Sequence, residues 1–149
     1  MSQPGLIEAY LYFNGNCLEA FEYYKTILNG ELTSVMHVKE LPAAEKEEME
    51  RMPGIKPEHV MHASLKVGDV TLMGSDNPFM NTQFGDSITL NWSHPEEAEV
   101  RRVWHAFASF GSEITMPLEP AFFAPLFGQL TDKFGINWQI MQWTGAETP

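Results

Sequence analysis

A few side chains in this sequence carry functions suited to chemistry and sit in stretches that alternate like strands. His62 and Ser64 are two apart within His59–Val67, Asn91 lies in Ser87–Trp92, and Gln139 lies in Asn137–Trp143. Histidine is the residue type that exchanges protons near neutral pH. Two readings of His62 therefore stand together. One is a hydrogen-bonded strand histidine, and the other is a general base or a hydrogen-bond partner for a substrate. Glu119 is the one acid expected near these residues, with capping or surface exposure as its alternative. Phe13, Phe122, Met141 and Trp143 supply apolar surface around them. Apolar walls with a few placed polar groups are how small-molecule pockets are lined. The expected ligand-binding set is thus Phe13, His62, Ser64, Asn91, Glu119, Phe122, Gln139, Met141 and Trp143, with His62 the candidate for catalysis. His37, His59, His94 and His105 read as surface residues. Cys17 opens a helix, where a thiol can be acidified, but its apolar neighbours favour a buried small hydrophobe.

The elements that would position these residues follow from periodicity. Leu6–Phe13 alternates and is aromatic, as a strand does. Asn14-Gly15-Asn16 makes a turn that can end in an Asn N-cap. Cys17, Ala20, Phe21, Tyr24 and Leu28 recur at three and four, which predicts a helix closed by Asn29-Gly30. Glu31–Val38 follows as a strand and Ala43–Met52 as a short exposed helix. His59–Val67 and Val70–Gly74 are strands joined at the tight Gly68-Asp69 turn. Residues 77–86, rich in Gly, Pro, Asn and Asp, read as a linker. Ser87–Trp92 is the next strand. Pro95 suits the first turn of a helix whose apolar stripe is Val100, Val103, Trp104, Phe107 and Phe110. Glu113–Leu118, Phe122–Thr131 and Asn137–Trp143 complete the second half, with Asp132-Lys133-Phe134-Gly135 as a turn. The tail beyond Gly145 is expected to fray.

The two halves repeat each other. Leu11 aligns with Leu90, 79 positions on, and Glu19-Ala20 with Glu97-Ala98, 78 on. Glu31-Leu32-Thr33 aligns with Glu113-Ile114-Thr115, 82 on, whereas Gly68 and Gly135 are 67 apart. The acidic stretch Glu40–Glu58 explains the change as an insertion in the first half. Module one is expected at about 6–76, the linker at 77–86 and module two at about 87–143, within one domain of residues 1–149.

With 149 residues the chain can bury a core without staples. Its net charge of −11 repels phosphate backbones and argues against nucleic acid. Six of its 20 acids lie in Glu40–Glu58, as a solvated face or as a dock for a basic partner. No apolar run is long enough for a bilayer, which argues against a membrane partner. The N-terminus has no secretory pattern and Cys17 has no cysteine to pair with, so the expected location is the cytoplasm.

Tandem βαβββ modules are the layout of the vicinal oxygen chelate superfamily, which includes glyoxalase I, bleomycin- and fosfomycin-resistance proteins and extradiol dioxygenases. The stretches Tyr10–Cys17, Glu19–Tyr24 and Asp132–Trp138 resemble its PhnB-like branch, which also carries the label 3-demethylubiquinone-9 3-methyltransferase. The resemblance implies an α+β fold with mixed sheets wrapped into a cup, a homodimer, and a divalent metal held by His or Glu from the first and last strands of each module. Imidazole and carboxylate suit such ions, and open positions accept substrate oxygens. Here Ala9, Ser87 and Gln139 align with three ligand positions, and Thr71, Met73 and Ser75 share the face of the fourth. Pro125 stands where relatives place a His. Alternation assigns Ala9, Leu11, Phe13, Ser87, Thr89 and Asn91 to the cup, with Gln139, Met141 and Trp143. Tyr10, Tyr12, Trp138 and Ile140 go beneath the helices. On the third strand Met61, Ala63, Leu65 and Val67 form an apolar face opposite His62, Ser64 and Lys66. S-adenosylmethionine is usually held at a Gly-rich strand-to-helix turn of a parallel sheet, and neither Asn14-Gly15-Asn16 nor Ser93-His94-Pro95 is one. The expected function is small-molecule binding with no metal and no other cofactor. One alternative is a lyase, isomerase or dioxygenase-type enzyme whose divalent metal is held by His62, Glu119 and Gln139. The other is a regulatory protein that uses the acidic insertion.

Overall fold

A computed structural model describes residues 3–144 of the chain. Two compact units, Met1–Thr82 and Gln83–Pro149, divide it within the 77–86 segment. Unit one contains strand β1 (Tyr10–Phe13), helix α1 (Cys17–Leu28), β2 (Glu31–His37), the acidic helix α2 (Ala43–Glu50), β3 (Val60–Val67) and β4 (Val70–Asp76). Unit two contains β5 (Leu90–His94), α3 (Glu97–Ala108), β6 (Glu113–Ala121), β7 (Ala124–Thr131) and β8 (Asn137–Gln142). The four-stranded sheets have the same order, β1-β4-β3-β2 and β5-β8-β7-β6. In each, first and last strands pair in parallel and the other neighbours are antiparallel. This is an α+β fold of two βαβββ modules, and α2 is the addition peculiar to the first.

One helix packs on one face of each sheet. Under α1 lie Phe13, Ala63, Leu65 and Leu72, all buried. Phe13 meets Phe21 edge to face at 6.1 Å. Gly74 lets Phe21 come close, since a Cβ there would be 2.8 Å from the ring and 2.7 Å from the Leu11 carbonyl oxygen. Module two fills the corresponding place with Trp138, which packs 5.0 Å from Phe107 of α3. The β3–β4 hairpin turns at Gly68, with φ of 59°. Such two-residue turns favour a positive φ that glycine adopts without strain.

Several boundaries differ from the sequence expectation. Strand β1 starts at Tyr10 because its parallel pairing with β4 covers only Tyr10–Phe13, leaving Leu6 and Ile7 exposed. Strand β5 starts at Leu90, so Ser87 lies before the ladder. Pro95 precedes α3 and is not in its first turn, because Glu96 is the cap and its N–H bonds to His94 Nδ1 at 3.1 Å. Asn16 makes no side-chain cap on α1. The buried Asp76 does this work from the end of β4. Its Oδ1 accepts from Gly15 N at 3.0 Å and Cys17 N at 2.9 Å, and its Oδ2 accepts from Val60 N at 2.8 Å. A carboxylate at a helix start satisfies orphan donors and favours the positive end of the dipole. In module two a second buried carboxylate, Asp132 in the β7–β8 turn, accepts from Phe134 N, Ile136 N and Trp138 Nε1.

The 77–86 segment is fastened at both ends. Thr82 N and O bond the Asn14 side chain in module one. Gly85 O accepts from Asn137 Nδ2, and Phe84 covers Gly135 in module two.

Two stability changes are expected. Asp76→Ala strands buried donors and should cost about 3 kcal/mol or more in urea unfolding, and a loss below about 1 kcal/mol would refute this role. Gly74→Ala overpacks Phe21 and should cost about 1–3 kcal/mol in the same measurement.

Candidate functional site

Because α1 and α3 each cover one sheet face, the other face of each module is open to a ligand. Paired residues of a ladder share a face. In module one Tyr10 pairs with Met73, Met73 with Ser64, and Ser64 with Ser34. The next row holds Tyr12 opposite Ser75 and His62 opposite Met36. His62 Nε2 lies 2.9 Å from Ser64 Oγ, and its Nδ1 lies 3.4 Å from Tyr10 Oη. The Tyr10 ring is 5.8 Å from the imidazole and 5.2 Å from the Tyr12 ring. His62 and Ser64 are half-buried, while Tyr10 and Tyr12 are exposed.

In module two the open face reads Asn91–Gln139–Gln129 across β5, β8 and β7, with Met116 beyond on β6. Beside this row Phe127 pairs with Met141 and with Glu119. Phe127, Met141 and Ala124 form a buried cluster with Ala121, Phe123 and Trp143 packed against it. Phe123 meets Phe127 edge to face at 4.9 Å. On the other side of Gln129 is a cavity of about 260 Å³ lined by Asp86, Thr89, Thr115, Gln129, Leu130, Thr131, Asn137 and Trp138. Thr131 Oγ1 donates to Asn137 Oδ1, and Asn137 Nδ2 donates to the carbonyls of Gly85 and Ile88. Asn137 therefore shapes the wall, while Gln129, Thr89 and Thr115 remain to meet a ligand. The face offers amides and hydroxyls at one end and aromatic surface at the other.

These placements revise part of the expected binding set. Asn91, Gln139, Met141 and Trp143 lie with the open face of module two, and Glu119 is exposed on it. His62 and Ser64 lie on the open face of module one. Phe13 does not, because its side chain is wholly buried against Phe21 of α1. The whole first strand is inverted relative to expectation, with Leu11 and Phe13 toward the helix and Tyr10 and Tyr12 on the open face. Phe122 is also misplaced: it is fully exposed in the β6–β7 turn, and Phe123 packs in the cluster instead. Tyr10, Tyr12, Gln129, Phe123 and Phe127 were missed. The repeat itself held the signal for the tyrosines, since the offset joining Leu11 to Leu90 carries Tyr12 onto Asn91 and Phe13 onto Trp92.

Three of the remaining histidines, His37, His59 and His94, have structural partners. His37 Nδ1 is 2.7 Å from Glu40 Oε1, and the His37 backbone N–H donates to the same carboxylate. Those contacts hold the Glu40 carboxyl below the usual carboxylate range. His59 Nδ1 accepts from Lys56 N, and His94 stacks on Trp92 at 5.8 Å. Among the described residues no three His, Cys, Asp or Glu side chains gather as a metal-holding group. No helix among them is long and apolar enough to cross a membrane.

A protein family described as 3-demethylubiquinone-9 3-methyltransferase matches residues 6–141. Protein YjdN of Escherichia coli (strain K12) is 29% identical over 137 residues, 90% of this chain and 92% of YjdN. The crystal structure of protein PA1353 from Pseudomonas aeruginosa aligns with a TM-score of 0.80 and 34% identity, over 93% of this chain and 98% of that one. A Bacillus cereus structure described as a putative 3-demethylubiquinone-9 3-methyltransferase, PhnB protein, has a TM-score of 0.77 and 28% identity, covering 93% and 100%. The fosfomycin resistance protein FosX from Mesorhizobium loti shares the fold, with a TM-score of 0.60 at 9% identity over 97% and 94%.

Cys17 is buried at the start of α1, and burial pushes its thiol far above its usual range, with the Asp76 carboxylate adding to the rise. Thiolate is the reactive form, so Ellman's reagent at about pH 8 should leave Cys17 untouched until the protein unfolds. Rapid, stoichiometric release of the chromophore from native protein would contradict this.

Proposed function

The chain belongs to the 3-demethylubiquinone-9 3-methyltransferase family, as a PhnB-like member of the vicinal oxygen chelate superfamily, and from that premise we propose that it binds a small molecule on the open face of module two without the usual metal centre. The observation that carries this reading is the juxtaposition of the polar cavity with the Phe123–Phe127–Met141–Trp143 surface. Gln139 and Gln129 stand between the two ends and supply oriented amides. Pockets that combine apolar walls with a few placed polar groups select ligands in this way. Module two places no Lys or Arg on this face, which favours an uncharged or cationic ligand over an oxyanion.

Two of the strand positions expected to ligate a metal carry neutral side chains on the open faces. Ser75, paired with Tyr12, is a small hydroxyl, while Ala9 shares the helix-side parity of Leu11 and Phe13 and so does not bear on the open face. Gln139 is a neutral amide, a poor divalent-ion ligand on its own. The rival set of His62, Glu119 and Gln139 takes one residue from the first unit and two from the second. The acidic insertion offers a dock for a basic partner, but on α2 Lys46 and Glu50 already pair, as do Glu47 and Arg51 just beyond it.

The family description raises the question of S-adenosylmethionine. Two backbone donors of the β1–α1 turn, Gly15 N and Cys17 N, are taken by Asp76, and the Glu96 donor before α3 is taken by His94. Neither turn fits a Gly-rich cradle, and each sheet has only one parallel pair. The residues present do not fit that co-substrate in its usual setting. The proposed working form is a cytoplasmic homodimer.

Native mass spectrometry of protein purified without chelators tests the reading directly. A dimer with no transition metal, carrying or accepting a small organic ligand, is the expected result. Gln139→Leu and Trp143→Ala should each reduce retention of that ligand by about tenfold, as loss of a hydrogen bond or an aromatic contact predicts. Stoichiometric Ni, Zn, Mn or Fe by inductively coupled plasma mass spectrometry would overturn it.

A further inference from the structure

We propose that the open face of module one holds a second site, in which Ser64 is a nucleophile for acyl transfer with His62 as its base. The pleat of β3 puts these two side chains on one face, and the 2.9 Å Nε2–Oγ contact is within proton-transfer reach. Tyr10 is the positioning residue. With the imidazole proton on Nδ1, facing Tyr10 Oη at 3.4 Å, Nε2 is free to accept from Ser64. Tyr10 comes from β1 and crosses β4 to reach His62, so the contact holds the ring from outside its own strand.

Ser34 of β2 pairs directly with Ser64 on the same face. Directly opposite residues have Cβ atoms about 4.5–5.5 Å apart, which puts the Ser34 hydroxyl within reach of an oxygen bound to the carbon attacked by Ser64. Tyr12 and Met36 provide exposed apolar surface in the neighbouring row. The substrate class is therefore an ester or thioester with a small apolar or aromatic acyl group.

The step balances without a cofactor. Ser64 Oγ bonds to the acyl carbon while its proton passes to His62 Nε2. Collapse of the tetrahedral adduct breaks the bond to the alkoxide or thiolate, which takes the proton from His62. Water then repeats the sequence on the acyl-serine and releases the acid.

An alkyl fluorophosphonate tests the nucleophile, because it reacts with an activated serine by forming an Oγ–P bond and releasing fluoride. Peptide mass spectrometry of the native protein should find the adduct on Ser64, and Ser64→Ala should lose it. His62→Gln should slow labelling by about 100-fold or more, with far-UV circular dichroism and thermal midpoint confirming that it is folded. Tyr10→Phe should keep the midpoint but change the pH profile of the labelling rate, which a purely structural tyrosine would leave alone. Absence of the adduct from folded wild-type protein, or an unchanged rate in folded His62→Gln, would overturn the proposal. Ligand retention and metal content report on module two separately, so either site can fail without the other.

Discussion

The parallel pairing of first and last strands governs each module. Antiparallel neighbours can be joined by a turn as short as Gly68-Asp69, but parallel neighbours need the chain to travel back along the sheet. The chain does so once through a helix and then through two further strands, which leaves a single helix to cover four strands. One face becomes core under the helix and the other has no helix over it. The pairing of first and last strands follows that division, with Phe13 and Trp92 on the helix side and Tyr12 and Asn91 on the other. What either module can offer a ligand depends on which residues fall on the uncovered side.

The same topology creates a demand for buried acceptors. A short strand followed at once by a helix leaves amide donors with no partner in the chain nearby. Asp76 meets that need in module one, from the far end of the sheet, and ties the β1–α1 turn to the start of β3. Asp132 organises a different corner, the β7–β8 turn, and anchors the Trp138 indole. The modules share strand order and differ in how they are locked. Gly74 and Trp138 show this again, because one makes room for a ring from the helix and the other supplies a ring from the sheet.

Much of this was legible in the sequence. The three-and-four spacing of Cys17, Ala20, Phe21, Tyr24 and Leu28 located α1 to the residue, and the order of the repeated segments gave the α+β, βαβββ architecture. Alternation placed Asn91, Gln139, Met141 and Trp143 correctly relative to Trp138 and Ile140. It failed on β1 because Tyr10, Leu11, Tyr12 and Phe13 are all large and apolar enough to belong in a core, so composition alone does not distinguish the faces. The turn between β1 and α1 does not fix the register of the strand before it, and one residue of shift inverts a strand. Phe122 and Phe123 posed the same difficulty at a tight turn. The role of Asp76 had no local signal, since one of its partners, Cys17, is 59 positions away. The cavity beside Gln129 likewise depends on Asn137 reaching back to Gly85 and Ile88, which periodicity does not encode.

The segment between the modules has a consequence for how such a chain tolerates change. Its first part is bonded to Asn14 and its second part is held by Asn137 and Gly135, so each copy of the duplicated unit has annexed its share of the joint. The boundary between the two units falls between Thr82 and Gln83, inside this fastened stretch. An insertion beside Thr82 or beside Gly85 is expected to loosen the closure of the module that holds that residue, so the joining chain is a working part of both folds and not a spacer between them.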